Sequence, residues 1–396
     1  MKIIVGAGSV GLSIAYKILL KYKRGNDIVV IDRYNLPTKG TSLKNSGVLH
    51  AGLYYPPKSE KSKLCIDGHE QLKKLCFDNN LPILKCGKII LPINNLDYER
   101  ITDLYINASS CNRHVSIIDF NYAKKIQPNI NQRNSYLWSP ETSVFSPSSI
   151  LEFLYKFLLN SGVKFIKDKV ELINNEKEKI ITSKNQTIKF TKLFNCAGPG
   201  SLNLYKKNNL NKSHLTILPI LGQYAIMPSR NILKTNLYPA PDPTLPFLGV
   251  HLTPMINGNI LIGPNAVPVF KKDVQGFEFE DFLTISSKLF NHAKLFLNNS
   301  QNYRKHALNE LSFNVLEKFK NQVSQFIKLD KSLENEIFMD NTLSGIRPQL
   351  YDYKKNKLIN DFVYEKEDNV IHIINAVSPA FTSCLSLADK IININI

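Results

Sequence analysis

Cysteine and acidic charge are both scarce in this chain of 396 residues. Its six cysteines, Cys65, Cys76, Cys86, Cys111, Cys196 and Cys384, are scattered, with no C-x-x-C pair and no cluster of histidines. Zinc sites need ligands at short, repeated spacings, so no metal is expected, and the thiols are read as buried groups of a reducing, cytoplasmic compartment. Asp and Glu number 33 against 50 Lys and Arg, a formal net charge of +17. That excess suits an anionic partner: nucleic acid, an anionic membrane face or a carboxylate substrate. The lysines are dispersed rather than gathered into a patch, so most of the charge is read as solvated surface and no nucleic-acid partner is expected. Long apolar runs are missing too. The nearest approach, "MKIIVGAGSVGLSIAYKILLKYKR", is interrupted by Gly6, Gly8, Ser9 and Gly11, and a cleaved leader has no reason to carry glycines at that spacing. No internal repeat or low-complexity linker is apparent. A hydrophobic content of 43% against 21% charged residues describes a folded globular protein with room for two domains.

What is present begins at the N-terminus. Lys2 to Val5 reads as a short buried strand, and Gly6-Ala-Gly8-Ser-Val-Gly11 follows as G-x-G-x-x-G. Leu12, Ala15, Ile18 and Leu19 mark the apolar face of a helix, and Ile28 to Ile31 is a second apolar strand ending at Asp32. Together these make a βαβ unit for a dinucleotide. Gly6 permits the tight turn, Gly8 lets backbone approach a pyrophosphate, and Gly11 lets the helix pack close to the strand. The helix N-terminus faces the phosphate charge, and Asp32, about twenty residues on, is placed to accept from ribose hydroxyls.

The glycine motif alone does not separate NAD from FAD. "TKLFNCAGPGS" (Thr191 to Ser201) is an apolar strand with small residues at its C-terminal end, typical of flavoprotein folds that return to the nucleotide domain after an excursion. Short strands with polar turns precede it, with Val170 placed by analogy against adenine. Near the C-terminus a strand from Val370 to Asn375 leads through a small-residue turn to an amphipathic helix, with Ser378-Pro379 read as the helix start. Arg347, in "LSGIRPQL", is read as lying between turn-forming residues near a cleft. The middle of the chain is apolar and aromatic with strand-like alternation. Asn257-Gly258 marks a hairpin, and His251 lies in the strand leading to it, beside Gly249. Across roughly 278–328 the pattern turns helical.

Four stretches go further: "NSGVLHAGLYYPP" from Asn45, "LYPAPDPTLPFLGVHLTPMINGNILIGPNAV" from Leu237, "SGIRPQL" with "KLINDF", and "NAVSPAFTS". In these the chain resembles the FAD-dependent L-2-hydroxyglutarate oxidases and dehydrogenases of the D-amino-acid-oxidase-like group, over residues 2 to 390 or so. The resemblance implies an α/β fold: a discontinuous Rossmann-like FAD-binding domain (1–85, 146–215 and 336–396) interleaved with a β-rich α+β substrate domain (86–145 and 216–335). It implies oxidation of L-2-hydroxyglutarate to 2-oxoglutarate, with hydride passing from C2 to flavin N5 and a histidine taking the hydroxyl proton. His251 is the implied base and His50 the runner-up. The substrate is a dianion, so Arg347 is suited to one carboxylate, with Tyr54, Tyr55 or Lys44 at the other end. Implied cofactor contacts are Gly6, Gly8, Ser9, Val10, Gly11, Asp32, Arg33, Ser42, Asn45, Ser46, Gly47, Val48, Val170, Ala197, Gly198, Gly345, Arg347, Ser378, Pro379, Ala380 and Thr382.

The chain departs from that pattern at Ser42-Leu43-Lys44, where the family has Thr-Gly-His or Thr-Gly-Arg, and at Gln223, where Glu is common. Two competing functions remain open from sequence: a flavin oxidase of another 2-hydroxy acid, an amino acid or glycerol 3-phosphate, and an FAD protein with an RNA-binding surface. The electron acceptor is oxygen or a quinone chain, the latter through peripheral contact with the inner face of a membrane.

Overall fold

The computed structural model describes residues 1–35, 40–208, 214–228, 231–271, 279–311 and 314–394. Strand β1 (Lys2–Val5), helix α1 (Ser9–Tyr22) and strand β2 (Ile28–Asp32) form the expected βαβ unit. Alternation along these strands sorts side chains into two cores. Ile4, Ile28 and Val30 face one layer, while Ile3, Val5, Val29 and Ile31 face the other. Apolar residues on both faces are what a parallel strand covered on both sides requires.

The sheet built on β1 and β2 has six strands, in the order Val363–Glu367, Val370–Asn375, Lys192–Asn195, β1, β2, Lys164–Lys167. Five run parallel and Val363–Glu367 pairs antiparallel at the edge. One face carries α1 and the helices Pro147–Asn160 and Cys384–Asn393, whose buried Ile14, Leu154 and Leu387 share a core with Ile4. The other face is covered by a three-stranded meander, Val170–Asn174, Lys179–Thr182 and Thr187–Lys189.

A second sheet has eight strands: Phe338–Met339, Ala225–Met227, Ile260–Gly263, His251–Pro254, Asn236–Pro239, Lys88–Leu91, Tyr136–Ser139 and Ser116–Ile118. On one face Ile89, Leu237, Leu252 and Ile262 pack against Phe319, Val323 and Phe326 of the helix Val315–Phe326. On the other, Ile90, Leu137 and Tyr238 meet Ile101 and Leu104 of the helix Leu96–Ser110. The expected hairpin follows His251–Pro254: Met255 N–H donates to the Asn259 carbonyl at 2.8 Å, and Gly258 takes a φ of 86°. A four-stranded sheet contains Leu215–Gly222 and Gly345–Asp352, which pair antiparallel over eight positions.

Two local readings change. The C-terminal helix starts at Cys384, not at Ser378-Pro379. Consecutive turns occupy the interval, with Ala380 N–H bonded to the Val377 carbonyl and Ser383 N–H to that of Pro379. Arg347 lies inside a strand, not between turns, because Gly345–Asp352 has a long partner strand to pair with. Among the described residues no helix is long and apolar enough to cross a membrane.

Candidate active site

One cavity of about 1210 Å³ runs from the start of α1 to the strand carrying His251. Every residue named from sequence as a cofactor, substrate or catalytic candidate lines it except Gly47. Gly47 has a φ of 67°, and a Cβ there would meet the Phe145 carbonyl at 2.5 Å. Its small size serves contact with the strand Ser143–Phe145, to which its carbonyl accepts from Phe145 N–H at 2.8 Å.

At one end the backbone is pressed together. Gly6 has a φ of 105°, and a Cβ there would lie 2.3 Å from the Cys196 carbonyl oxygen. A Cβ on Gly11 would lie 1.9 Å from the Gly6 carbonyl oxygen. The α1 N-terminus carries no side-chain cap from Gly8 and no acidic residue in its first turn, which leaves a positive helix end facing the cavity. Ser42 Oγ accepts from Ser9 N–H at 3.0 Å beside it. Asp32 ends β2 as a buried carboxylate, accepting from Ala7 N–H at 2.7 Å and Tyr34 N–H at 2.8 Å. Gly198, with a φ of 57°, has open space where a side chain would be. A glycine cradle, an uncapped helix end and an anchored acid fit the diphosphate and ribose of a dinucleotide.

Between the ends, Asn45 folds the loop over. Its Nδ2 donates to the Ser42 carbonyl at 2.6 Å and its Oδ1 accepts from Gly47 N–H at 2.9 Å. Lys44 donates to the Thr342 carbonyl, and its Cβ lies against Gly345. The departure at Leu43-Lys44 therefore fastens this loop to the loop before Gly345. Gln223 pairs reciprocally with Asn265: its N–H donates to Asn265 Oδ1 at 2.7 Å, and its Oε1 accepts from Nδ2 at 3.0 Å. Two neutral amides make that exchange without a charge.

The far end holds the candidate bases and the candidate substrate groups. His251 is buried; its Nδ1 sits 3.1 Å from the Gly249 carbonyl, and its Nε2 has no hydrogen-bond partner. A carbonyl can only accept, so Nδ1 carries the proton and Nε2 presents a free lone pair. Burial, more than the Lys88 charge, pushes the His251 pKa down to about 3, against the raising effect of the Gly249 carbonyl. His50 also shows an unpartnered Nδ1, and burial first, then Lys88 and His251, hold its pKa well below the usual value. The Arg347 guanidinium carbon lies 5.3 Å from the Phe247 ring centre, within cation–π reach. Burial raises the Tyr54 and Tyr55 hydroxyl pKa values, so both are neutral donors.

Three residues at this end were not singled out from sequence, although Tyr238 lies inside the stretch that begins at Leu237. Lys61 lines the cavity with its ammonium 5.1 Å from the Tyr55 ring centre, and burial lowers its pKa to about 8. Tyr238 stacks on His251 with ring centres 3.9 Å apart and planes 16° apart. Lys88 lies under Tyr238, 4.1 Å from its ring centre. One signal was legible for Lys88, a charged residue opening the otherwise apolar run "KIIL".

The chain belongs to the FAD dependent oxidoreductase family, which it matches over residues 2–393. It is 30% identical to the mitochondrial L-2-hydroxyglutarate dehydrogenase of Nematostella vectensis, over 97% of this chain and 88% of that protein. It is 28% identical to the L-2-hydroxyglutarate dehydrogenase of Escherichia coli K12, over 99% of this chain and 92% of that protein. In fold it is similar to the dithionite-reduced, FAD-bound L-alpha-glycerophosphate oxidase of Mycoplasma pneumoniae, with a TM-score of 0.72 at 17% identity, covering 99% of this chain and 94% of that one.

Proposed function

We propose that the chain oxidises L-2-hydroxyglutarate to 2-oxoglutarate. The observation that carries the reading is the free Nε2 of a neutral His251, in a cavity that also holds Arg347, Tyr54, Tyr55 and Lys61. Bound FAD supplies the two-electron acceptor for the hydrogen on C2. It would be held by Gly6, Gly8, Ser9, Val10 and Gly11 at its diphosphate, Asp32 at its ribose, and the segments around Ser46, Ala197 and Pro379. His251 Nε2 takes the hydroxyl proton, because an alcohol becomes a competent hydride donor only as it turns alkoxide-like. His50 is the second candidate for that proton. Arg347 grips one carboxylate through its planar fork. Lys61 and the Tyr55 hydroxyl balance the other. In this reading 1–85, 146–215 and 336–396 form the cofactor part, and 86–145 and 216–335 the substrate part.

Electrons leave to oxygen or to a membrane quinone. The second route is supported by the helix Phe279–Leu297, whose outer face exposes Ile285, Leu289, Phe290 and Leu297. A helix apolar on its outer side as well as its inner one calls for a cover, and the net charge of +17 favours an anionic bilayer.

Anaerobic reduction of the bound flavin tests the substrate. L-2-hydroxyglutarate is expected to bleach it rapidly, and D-2-hydroxyglutarate, lactate, malate, amino acids and glycerol 3-phosphate slowly or not at all. No bleach with the L-hydroxyglutarate, or a faster one with any other compound, refutes the reading. Admitting oxygen or a quinone afterwards identifies the acceptor.

A further inference from the structure

The strand Lys88–Leu91 opens on a side chain that solvent does not reach: Lys88 is 0% exposed. Its strand lies parallel to Asn236–Pro239, which lies antiparallel to His251–Pro254. Ile89, Leu237 and Leu252 point into the core on one face, so alternation turns Lys88, Tyr238 and His251 to the other, on three adjacent strands. The three stack there. The Lys88 ammonium lies 4.1 Å from the Tyr238 ring centre, and the His251 imidazole covers Tyr238 at 3.9 Å. The same ammonium lies 4.9 Å from the Tyr54 ring centre and reaches the Tyr54 hydroxyl at only 3.5 Å. Among the described residues no carboxylate pairs with it; burial lowers its pKa to about 7, against the raising effect of the Cys65 and Cys86 thiols, so it is a cation below that pH. A buried cation without a counter-ion is costly to a fold, and two tyrosine faces compensate it only in part.

We infer that Lys88 is a positioning residue for the oxidation: acting through Tyr238, it fixes the His251 ring and opposes a second positive charge there, so that Nε2 remains a proton acceptor. This rests on His251 being the base of the proposed reaction. Lys88 does not line the cavity, so it does not touch the substrate itself. The geometry accounts for both halves of its effect. Tyr238 is held between two partners and cannot rotate away from the imidazole, and the cation behind it disfavours imidazolium. Lys88 also bears on His50, as do His251, His69 and Lys61, and Arg347 lies beside Tyr55 and Tyr224. The Gly249 carbonyl acts on His251 in the opposite sense, and burial is the larger contribution to keeping it neutral.

The test is the acid limb of the pH profile of kcat/KM for flavin reduction by L-2-hydroxyglutarate, in FAD-loaded wild type, Lys88→Met and Lys88→Arg. Methionine matches the lysine stem without its charge, and replacing an unpaired buried charge by an apolar group of similar volume is well tolerated by a core. At the pH where His251 titrates, Lys88 is a full cation, so its loss moves the acid limb upward, by about half a pH unit or more. Lys88→Arg restores the limb to its wild-type place. A Lys88→Met enzyme with an unmoved limb overturns the inference, since a merely structural role would change rate or stability and not the position of the titration. His251→Gln separates the two ideas. If it retains wild-type kcat/KM, the base reading falls and the inference with it; if it is inactive while the Lys88→Met limb is unmoved, Lys88 alone is wrongly placed. Imidazole NMR of the holoenzymes, with His251 identified by the His251→Gln variant, reads the titration directly and without turnover. Because burial alone already lowers the wild-type titration, the same resonance is followed in Lys88→Met: a His251 titration moved upward supports the inference, and one left where wild type has it overturns it.

Discussion

Replacing Gly11 by alanine is a single-methyl test of the nucleotide end of the cavity. The new Cβ would sit 1.9 Å from the Gly6 carbonyl oxygen, 1.5 Å short of the 3.4 Å at which ordinary contact begins. A backbone atom cannot rotate out of the way, so α1 or the Gly6 turn would have to shift to relieve the overlap. Neither side is free to give. Leu12, Ile14 and Ala15 on α1 are 0% exposed. Gly6 is held by its N–H to the Ile31 carbonyl at 2.7 Å and faces the Cys196 carbonyl across 2.3 Å of would-be Cβ space. Overpacking of this kind costs about 3 kcal/mol, the upper part of the usual range, or roughly 5 °C in Tm for a large domain. Gly8→Ala is the control, because its Cβ would meet only the Ser42 hydroxyl, at 3.0 Å, and a side-chain rotation relieves that. The assay is flavin bound per chain after gel filtration, beside Tm with and without added FAD. Gly11→Ala is expected to lose both stability and flavin, and Gly8→Ala to keep its fold while binding FAD more weakly. A Gly11→Ala protein with full flavin and wild-type Tm refutes the close-packing argument.

Asp32→Ala removes the acceptor of two backbone N–H groups, those of Ala7 and Tyr34, and is expected to cost about 2–5 kcal/mol; Tm of the flavin-free protein reads it without any contribution from the ribose. Arg347→Met is expected to raise KM for the dicarboxylate about 10- to 100-fold, the worth of a charge-assisted pair. Arg347→Lys should recover only part of this, and steady-state kinetics showing an unchanged KM would remove Arg347 from the substrate site. The pH dependence of KM follows from Lys61. Burial depresses its pKa to about 8, so the ammonium is present below that pH and lost above it. KM for a dianion is therefore expected to climb as pH rises through about 8, and Lys61→Met should flatten this part of the profile.

How much of this was legible in the chain depended on whether the relevant contact was local. The G-x-G-x-x-G turn, the acid ending β2 and the Asn257-Gly258 hairpin are short-range devices whose geometry follows from residue type, and each appears where its spacing placed it. His251 and Arg347 were nameable only through the stretches around them, since a histidine or arginine in a strand has many ordinary uses. Lys61 had no such stretch, Lys88 only its place at the start of an apolar run, and Tyr238 lay inside the stretch from Leu237 without being singled out. What matters about Lys88 is that its strand lies beside Asn236–Pro239, a pairing between distant segments that no local pattern records. Gly47 shows the reverse difficulty. A small residue marks a close approach, but sequence does not say to what, and here the neighbour is the Phe145 carbonyl. The start of the C-terminal helix was misplaced for a similar reason: Ser-Pro is an acceptable helix opening, and the turns that displace it to Cys384 are a matter of tertiary fit.

The order of the six-stranded sheet has a consequence for how the protein is made. Strand β1 is synthesised well before its neighbour on one side, Lys192–Asn195, and before Val370–Asn375 beyond that. Val5 offers its carbonyl to Cys196 N–H, and the buried Asn195 amide lies 2.9 Å from His372 Nδ1. A nascent chain thus carries its glycine loop long before the wall that closes around it exists. Such distant pairings are slow to form, and the unfinished sheet presents an open edge meanwhile. The wall beside the glycine loop is accordingly complete only once Val370–Asn375, far along the chain from it, has been made and paired.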